Sequence, residues 1–176
     1  MDITIRKVLP EEAYEYAACH IACWQSAYKG IMPDEYLDNM PAKLEERTES
    51  CRQALSEPGD YGFFCAVYEG KMIGRLIICK SRDDDKPNAG EIAAIYLLEE
   101  FWDKGYGRQM MDYAIEMLIT LGYQEFFIWV LEENRRARRF YEKYGFRFDG
   151  AKKEIKIDKL LVVIRYVFEA ENKYTN

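Results

Sequence analysis

The stretch EIAAIYLLEEFWDKGYGRQMMDYAIEML, residues 91–118, decides the fold of this chain. Its first part is apolar on both faces, which is typical of a central β-strand. Its last part has apolar residues at helical spacing, namely Met110, Met111, Ala114, Ile115 and Leu118. Gly105 and Gly107 lie between the two parts. Because EFFIWVLE (125–132) predicts another strand, residues 91–131 are expected to form a β-α-β unit with parallel neighbouring strands and a right-handed crossover.

The rest of the chain also alternates between strand and helix patterns. Strands are predicted at DITIRKV, at FRFDG, at KLLVVIRYVFEA and in the hairpin GFFCAVYEGKMIGRLIICK; helices are predicted from Pro10 to about Tyr28, at MPDEYLDNM, at PAKLEERTESCRQAL and at ENRRARRFYEKY. SRDDDKPNAG is a polar loop. No linker or change of composition divides the chain, so we expect residues 1–176 to form a single mixed α/β domain.

Composition and charge exclude several classes of protein. The net charge of −6 argues against nucleic-acid binding, which needs a basic surface. The five cysteines are odd in number and include no CxxC pair, so neither a disulfide framework nor a metal site is expected. No run of 18 apolar residues predicts a membrane span, and MDITIRK lacks the layout of a signal peptide. A cytoplasmic protein without a membrane or metal partner fits these features.

The two glycines precede a helix, where unpaired N–H groups and the helix dipole favour an anion. A flexible turn without a ligand is the alternative. A P-loop would need Gly-Lys-Ser/Thr at its end, and a dinucleotide fingerprint would need a third glycine where Met110 stands. The pattern that matches is Arg/Gln-x-x-Gly-x-Gly/Ala over residues 102–107, except that Trp102 occupies its first position.

This pattern resembles the acyl-CoA pyrophosphate loop of the GNAT N-acetyltransferase superfamily. The whole strand-loop-helix of residues 91–114 is similar to that family. NRRARRFYEKYGF (134–146) resembles its signature Asn-x-x-Ala-x-x-Phe-Tyr-x-x-x-Gly-Phe. The resemblance covers nearly all of the chain and implies a GNAT fold. That fold has a central mixed, mostly antiparallel sheet of six or seven strands, with a splayed parallel pair and four or five flanking helices.

The resemblance implies acetyl-CoA as co-substrate and direct transfer of the acetyl group to a primary amine. Tyr141 is the candidate acid for the CoA sulfur, and a packed aromatic ring is its alternative. Asn134 either contacts the pantetheine arm or caps a helix. Glu91 is the candidate base, whose pKa burial could raise, or else an exposed charge at a strand end. The single histidine, His20, is expected to be a hydrogen-bonded or a surface residue and not a catalytic one.

The remaining candidate residues divide between cofactor and acceptor. The strand residues Ile95, Tyr96 and Leu97 are expected to line the pantetheine arm, and the loop residues Lys104, Gly105, Tyr106, Gly107 and Arg108 to hold the pyrophosphate. The acceptor candidates are Trp24, Tyr28, Asp34 and Tyr36, for each of which ordinary packing is an alternative. A small-molecule amine is the expected acceptor, and a protein amine is the alternative acceptor. The alternative function for the whole protein is a non-catalytic acyl-CoA sensor. A homodimer, frequent in the family, is a further expectation.

Overall fold

Seven strands and five α-helices make up the parts of the chain that the computed structural model describes, residues 3–57 and 59–171. The strands are β1 (Thr4–Lys7), β2 (Tyr61–Tyr68), β3 (Lys71–Lys80), β4 (Gly90–Leu97), β5 (Glu125–Leu131), β6 (Arg147–Ile157) and β7 (Lys159–Glu169). The helices are α1 (Ala13–Ala27), α2 (Asp34–Asp38), α3 (Leu44–Ser56), α4 (Tyr106–Thr120) and α5 (Arg135–Tyr144). Short 3-10 turns lie at Pro10–Glu12, Met40–Lys43 and Glu99–Phe101.

The strands form one mixed sheet in the order β1-β2-β3-β4-β5-β7-β6. The pairs β1/β2, β5/β7 and β6/β7 are antiparallel, whereas β4 and β5 are parallel, with Gly90 beside Phe126 and Glu91 beside Phe127. This confirms the predicted fold class and the parallel pair. The chain contacts divide into two compact units, Met1–Ile77 with Ala94–Met111 and Ile78–Ala93 with Asp112–Asn176. The expected single domain over residues 1–176 stays a prediction.

In the first unit, α1 packs on α3, and an acidic side chain fixes the 3-10 turn Pro10–Glu12 that leads into α1. The Glu12 carboxylate accepts hydrogen bonds from the Leu9 N–H at 2.9 Å and from the Arg6 guanidinium at 2.6 and 2.7 Å. These bonds satisfy a donor that a helix start leaves unpaired. The β2–β3 hairpin turns at Glu69 and Gly70, whose φ angles of 49° and 79° are those of a tight two-residue turn.

In the second unit, a buried arginine secures the polar loop that precedes β4. Arg165, in β7, donates to Asp83 at 3.0 Å, to Asp85 at 2.8 Å and to Asp149 at 2.7 Å. These carboxylates satisfy a guanidinium that is only 4% exposed. The predicted surface loop is therefore attached to the sheet at two of its acidic residues.

Strand β6 is longer than the predicted FRFDG segment and continues to Ile157. Its added part, AKKEIKI, is largely exposed, and a register shift lies between Phe148 and Lys152, next to Gly150 at φ 95°. Lysines and a bulge are typical of an edge strand, where they discourage pairing with another chain. The polar composition of this segment lacks the apolar alternation that predicts a strand. Its strand structure depends on pairing with β7.

Candidate active site

The glycine turn is a sharp backbone bend directly before α4. Asp103 and Gly105 have φ angles of 58° and 85°, and α4 begins at the next residue, Tyr106. The Gly105 carbonyl accepts from the N–H groups of Arg108 at 3.1 Å and Gln109 at 3.2 Å. Helix geometry leaves the N–H groups of the first two helical residues, Tyr106 and Gly107, without partners inside the helix. A Cβ on Gly105 would meet nothing within 4 Å, so the space beside the turn is open.

Trp102 stabilises this turn instead of supplying a charge to it. Its indole N–H donates to the Leu97 carbonyl at 2.7 Å and so ties the end of β4 to the loop. The Lys104 ammonium lies 5.4 Å from the centre of the Phe101 ring. The Leu97 carbonyl, a predicted cofactor contact, is therefore already hydrogen-bonded within the protein.

Gly74 on β3 is a structural requirement that the sequence patterns did not reveal. A Cβ at this position would lie 2.7 Å from the Tyr96 carbonyl oxygen and 3.1 Å from the Leu97 and Met110 side chains. Only glycine allows β3 to approach this part of β4 so closely. A lone glycine inside an apolar strand is the signal that could have indicated this contact.

An aromatic cluster brings together residues predicted for the acceptor and a residue predicted for the cofactor. The Tyr28 and Tyr96 hydroxyls lie 2.6 Å apart, and the Trp24 ring lies 4.8 Å from Tyr28 and 6.3 Å from Tyr96 between centroids. Burial raises the pKa of Tyr96, and the hydrogen bond with Tyr28 opposes that rise. Asp34 and Tyr36 lie on the short helix α2, where Asp34 is exposed and Tyr36 is half-buried.

His20 adjoins this cluster and is not a surface residue. Its ring lies 5.0 Å from Trp24 and 6.2 Å from Tyr96, and its Nε2 atom lies 3.2 Å from Nη1 of Arg47. Burial, with the charges of Arg75 and Arg47, lowers the pKa of His20 to about 3. His20 is therefore a neutral imidazole at physiological pH.

In the second unit, the predicted base is buried and ion-paired. Glu91 is 2% exposed, and its carboxylate accepts from Nε of Arg82 at 2.9 Å and from Nη2 at 2.5 Å. The Arg82 backbone N–H lies 3.3 Å from the same carboxylate. Glu91 is thus not the exposed strand-end charge that was the alternative, because both its oxygens are hydrogen-bonded.

Tyr141 and Asn134 lie at α5 as the motif predicts. Tyr141 is 6% exposed, and its ring lies 6.1 Å from Phe146 and 6.2 Å from Tyr166. Asn134 is the N-cap of α5, where its side-chain oxygen accepts from the Ala137 N–H at 3.1 Å. The capping role was one of the two interpretations of Asn134. Gly145 ends α5 with a φ of 119°.

Two properties of the described ranges bear on the class of protein. Within residues 3–57 and 59–171, no group of three or more His, Cys, Asp or Glu residues is arranged to hold a metal ion. No helix in these ranges is long and apolar enough to cross a membrane.

A parallel strand pair joined through a glycine turn and a helix, within a mixed seven-stranded sheet, is the architecture that the sequence motifs predicted. The chain belongs to the acetyltransferase (GNAT) family, whose model matches residues 22–146, and it is an acetyltransferase.

Individual relatives agree with this assignment. The chain is 31% identical over 145 residues to the uncharacterized N-acetyltransferase YuaI of Bacillus subtilis, covering 81% of this chain and 79% of YuaI. It is 28% identical to the probable N-acetyltransferase Rv2775 of Mycobacterium tuberculosis, covering 85% and 82%. Its fold is similar to that of the PaiA N-acetyltransferase from Thermoplasma acidophilum, solved in complex with coenzyme A. That comparison gives a TM-score of 0.73 and 22% identity over 96% of this chain and 99% of the other.

Proposed function

We propose that this protein transfers the acetyl group of acetyl-CoA directly to a primary amine of a small molecule. The observation that carries the proposal is the glycine turn at Gly105, which presents the first N–H groups of α4 beside open space in a chain of the GNAT family. Such N–H groups, with the helix dipole, favour a pyrophosphate. In the proposal, Tyr106 and Gly107 donate these N–H groups, and Lys104 and Arg108 add positive charge.

The pantetheine arm is proposed to lie along β4, which residues Ile95 to Leu97 form. A ligand amide can bond to a strand's backbone groups as an additional strand would. Since the Leu97 carbonyl already accepts from Trp102, the proposal assigns the contact chiefly to Ile95 and Tyr96. The Asn134 side-chain oxygen caps α5, so a cofactor contact from Asn134 would have to come from its amide NH₂ group.

The proposed reaction needs a neutral amine, a base and an acid. The amine nitrogen attacks the thioester carbonyl, the new C–N bond forms, and the C–S bond then breaks. Tyr141 is proposed to give its proton to the departing thiolate. Glu91 is the proposed acceptor of the amine proton, directly or through water. This role requires Arg82 to turn away, and its side chain, 54% exposed, has room to do so.

The acceptor is proposed to bind against the aromatic cluster of Trp24 and Tyr28. Tyr36, half-buried on α2, is proposed to extend this apolar surface. Asp34, exposed in the first turn of α2, is placed to attract a protonated amine before it reacts.

Two variants test the catalytic assignments. If Tyr141 is the acid, Tyr141→Phe lowers kcat by at least about 100-fold at pH 6 to 9. An unchanged kcat would assign protonation of the thiolate to water. If Glu91 is the base, Glu91→Gln abolishes the acidic limb of the kcat/KM profile. An unchanged profile would place the base elsewhere.

The function itself is tested by mixing the protein with acetyl-CoA and a panel of amines while free thiol is measured. Release of thiol with formation of an acetylated amine is the expected result. Saturable acetyl-CoA binding without turnover across the panel would instead favour the non-catalytic sensor.

A further inference from the structure

Four buried N–H positions in the first unit have no hydrogen-bond partner among the described residues. They are Nδ1 of His20 and Nε1 of Trp24 on α1, Nε of Arg47 on α3 and Nε of Arg75 on β3. Buried donors in folded proteins are nearly always satisfied, so unsatisfied ones require an explanation. Two of these residues lie next to His20, because Nη1 of Arg47 is 3.2 Å from its Nε2 atom and the Trp24 ring is 5.0 Å from its ring between centroids. The charge of Arg75 acts on the same ring.

Arg75 is the most unusual of the four residues. It is 8% exposed, and its guanidinium lies 4.3 Å from the centre of the Tyr16 ring. Burial raises the pKa of Tyr16, and the charge of Arg75 and a hydrogen bond to it oppose that rise. No carboxylate within the described ranges is ion-paired with Arg75 or with Arg47. A buried guanidinium without a counter-ion is costly, whereas Arg165 in the second unit is surrounded by three aspartates.

The tautomer of His20 follows from its partner. The Arg47 guanidinium can only donate, so Nε2 of the His20 ring must accept. Because the lowered pKa leaves the ring neutral, its single proton is on Nδ1. All four unsatisfied positions are therefore donors, and two of them belong to cations. A group that satisfies them must be rich in acceptors and negatively charged.

This donor cluster of His20, Arg47 and Arg75 adjoins the aromatic cluster assigned to the acceptor. The His20 ring contacts Trp24 and Tyr96, and His20, Arg47 and Trp24 are each half-buried, so the donor cluster borders solvent. The net charge of −6 does not oppose an anion here, because the local charge is set by two arginines without acidic partners.

We propose that the donor cluster binds an anionic oxygen group of the acceptor, so that the substrate is an amine that also carries a carboxylate or a phosphate. This inference rests on the proposed acetyl transfer and narrows its substrate class. Arg75 and Arg47 act as specificity residues, which hold the anion while the amine is presented to the thioester. Polyamines, which have no such group, are then poor acceptors.

Matched acceptors and variants test the proposal. The first pair of acceptors is lysine and cadaverine, which differ in that cadaverine lacks the carboxylate. The second pair is β-alanine and O-phosphoethanolamine, which carry a carboxylate and a phosphate respectively. The variants are Arg75→Met and Arg75→Lys, with Arg52→Met as control, because Arg52 is an exposed residue of α3 paired with Glu49. Losing a charge-assisted hydrogen bond should lower kcat/KM for the preferred anionic acceptor about 10- to 100-fold.

The wild-type protein should prefer lysine to cadaverine, or one of the shorter anionic amines to both. In Arg75→Met, kcat/KM for the anionic acceptor should fall while that for cadaverine and the Kd for CoA stay unchanged. Arg52→Met should change none of them. Equal losses for both acceptors, or a wild-type preference for cadaverine, would overturn the proposal. A weakened CoA affinity in Arg75→Met would assign the donor cluster to the cofactor and would also overturn it.

A binding measurement without acetyl-CoA separates this proposal from the transfer reaction. Succinate or inorganic phosphate should raise the Tm of the wild-type protein and of Arg52→Met, but not that of Arg75→Met or Arg75→Lys. If the anions raise the Tm in this way but no amine is acetylated, the anion site is retained and the proposed function is rejected. If amines are acetylated but no anion changes the Tm, the proposed function is retained and the anion site is rejected. Arg75→Met itself should not lower the Tm, because it removes an unpaired buried charge.

Discussion

Acidification should destabilise the fold through His20, and the size of the effect follows from its surroundings. Burial first, and then the charges of Arg75 and Arg47, lower the pKa of this imidazole from its ordinary 6.5 to about 3. Between these values the unfolded chain binds one proton more than the folded chain. The contribution of His20 to the free energy of unfolding is therefore fully present above pH 6.5. It falls by about 1.4 kcal/mol for each pH unit below that value.

Between pH 6.5 and 4.5 the loss from His20 alone is about 2 to 3 kcal/mol. The matched variant is His20→Gln, whose side-chain oxygen can still accept from Arg47 but does not titrate. Urea unfolding followed by circular dichroism at pH 7.5, 6.5, 5.5 and 4.5 gives the free energy of unfolding of both proteins. Since carboxylates such as Glu12, whose pKa the Arg6 hydrogen bonds lower, titrate in both proteins, their contribution cancels in the difference. Parallel stability curves for the two proteins would refute the burial of a neutral imidazole.

Three further predictions concern the contact of β3 with β4 and the glycine turn before α4. Gly74→Ala should lower the free energy of unfolding by about 1 to 3 kcal/mol, because its Cβ collides with the Tyr96 carbonyl; an unchanged urea midpoint contradicts this. Trp102→Phe should lower the free energy of unfolding by about 1 kcal/mol, because the hydrogen bond to the Leu97 carbonyl is lost. Calorimetry should show a smaller change in the free energy of CoA binding. Gly105→Val should weaken CoA binding at least about tenfold, because valine disfavours a φ of 85°, and equal affinity would remove the turn from the cofactor site.

The parts of the fold that local patterns determine could be predicted from the sequence. The apolar run of β4, the turn glycine Gly105 and the helical spacing of α4 each have a short-range physical cause, and their order requires a parallel pair. The same is true of α5, which ends at Gly145. The length of β6 depends on pairing with β7, and an exposed polar segment gives no apolar periodicity to indicate it.

The candidate site was less predictable, because its properties depend on contacts between distant residues. The motif predicts that Tyr141 lies on a helix, and α5 confirms that position, but the ion pair of Glu91 with Arg82 depends on how the loop before β4 folds back. Nothing in the local pattern shows that the Trp102 indole bonds the end of β4. The sequence does mark Arg75, because it is a lone charge within the apolar strand segment MIGRLIIC.

Transfer of the acetyl group to an amine is the central step of the proposed function. The decisive measurement incubates the protein with acetyl-CoA and an amine panel that includes lysine and cadaverine, then quantifies free CoA and identifies products by mass spectrometry. One free CoA thiol is expected for each acetylated amine formed, with the anionic acceptor preferred and kcat reduced in Tyr141→Phe. Tight acetyl-CoA binding with no acetylated product from any amine would contradict the proposed function.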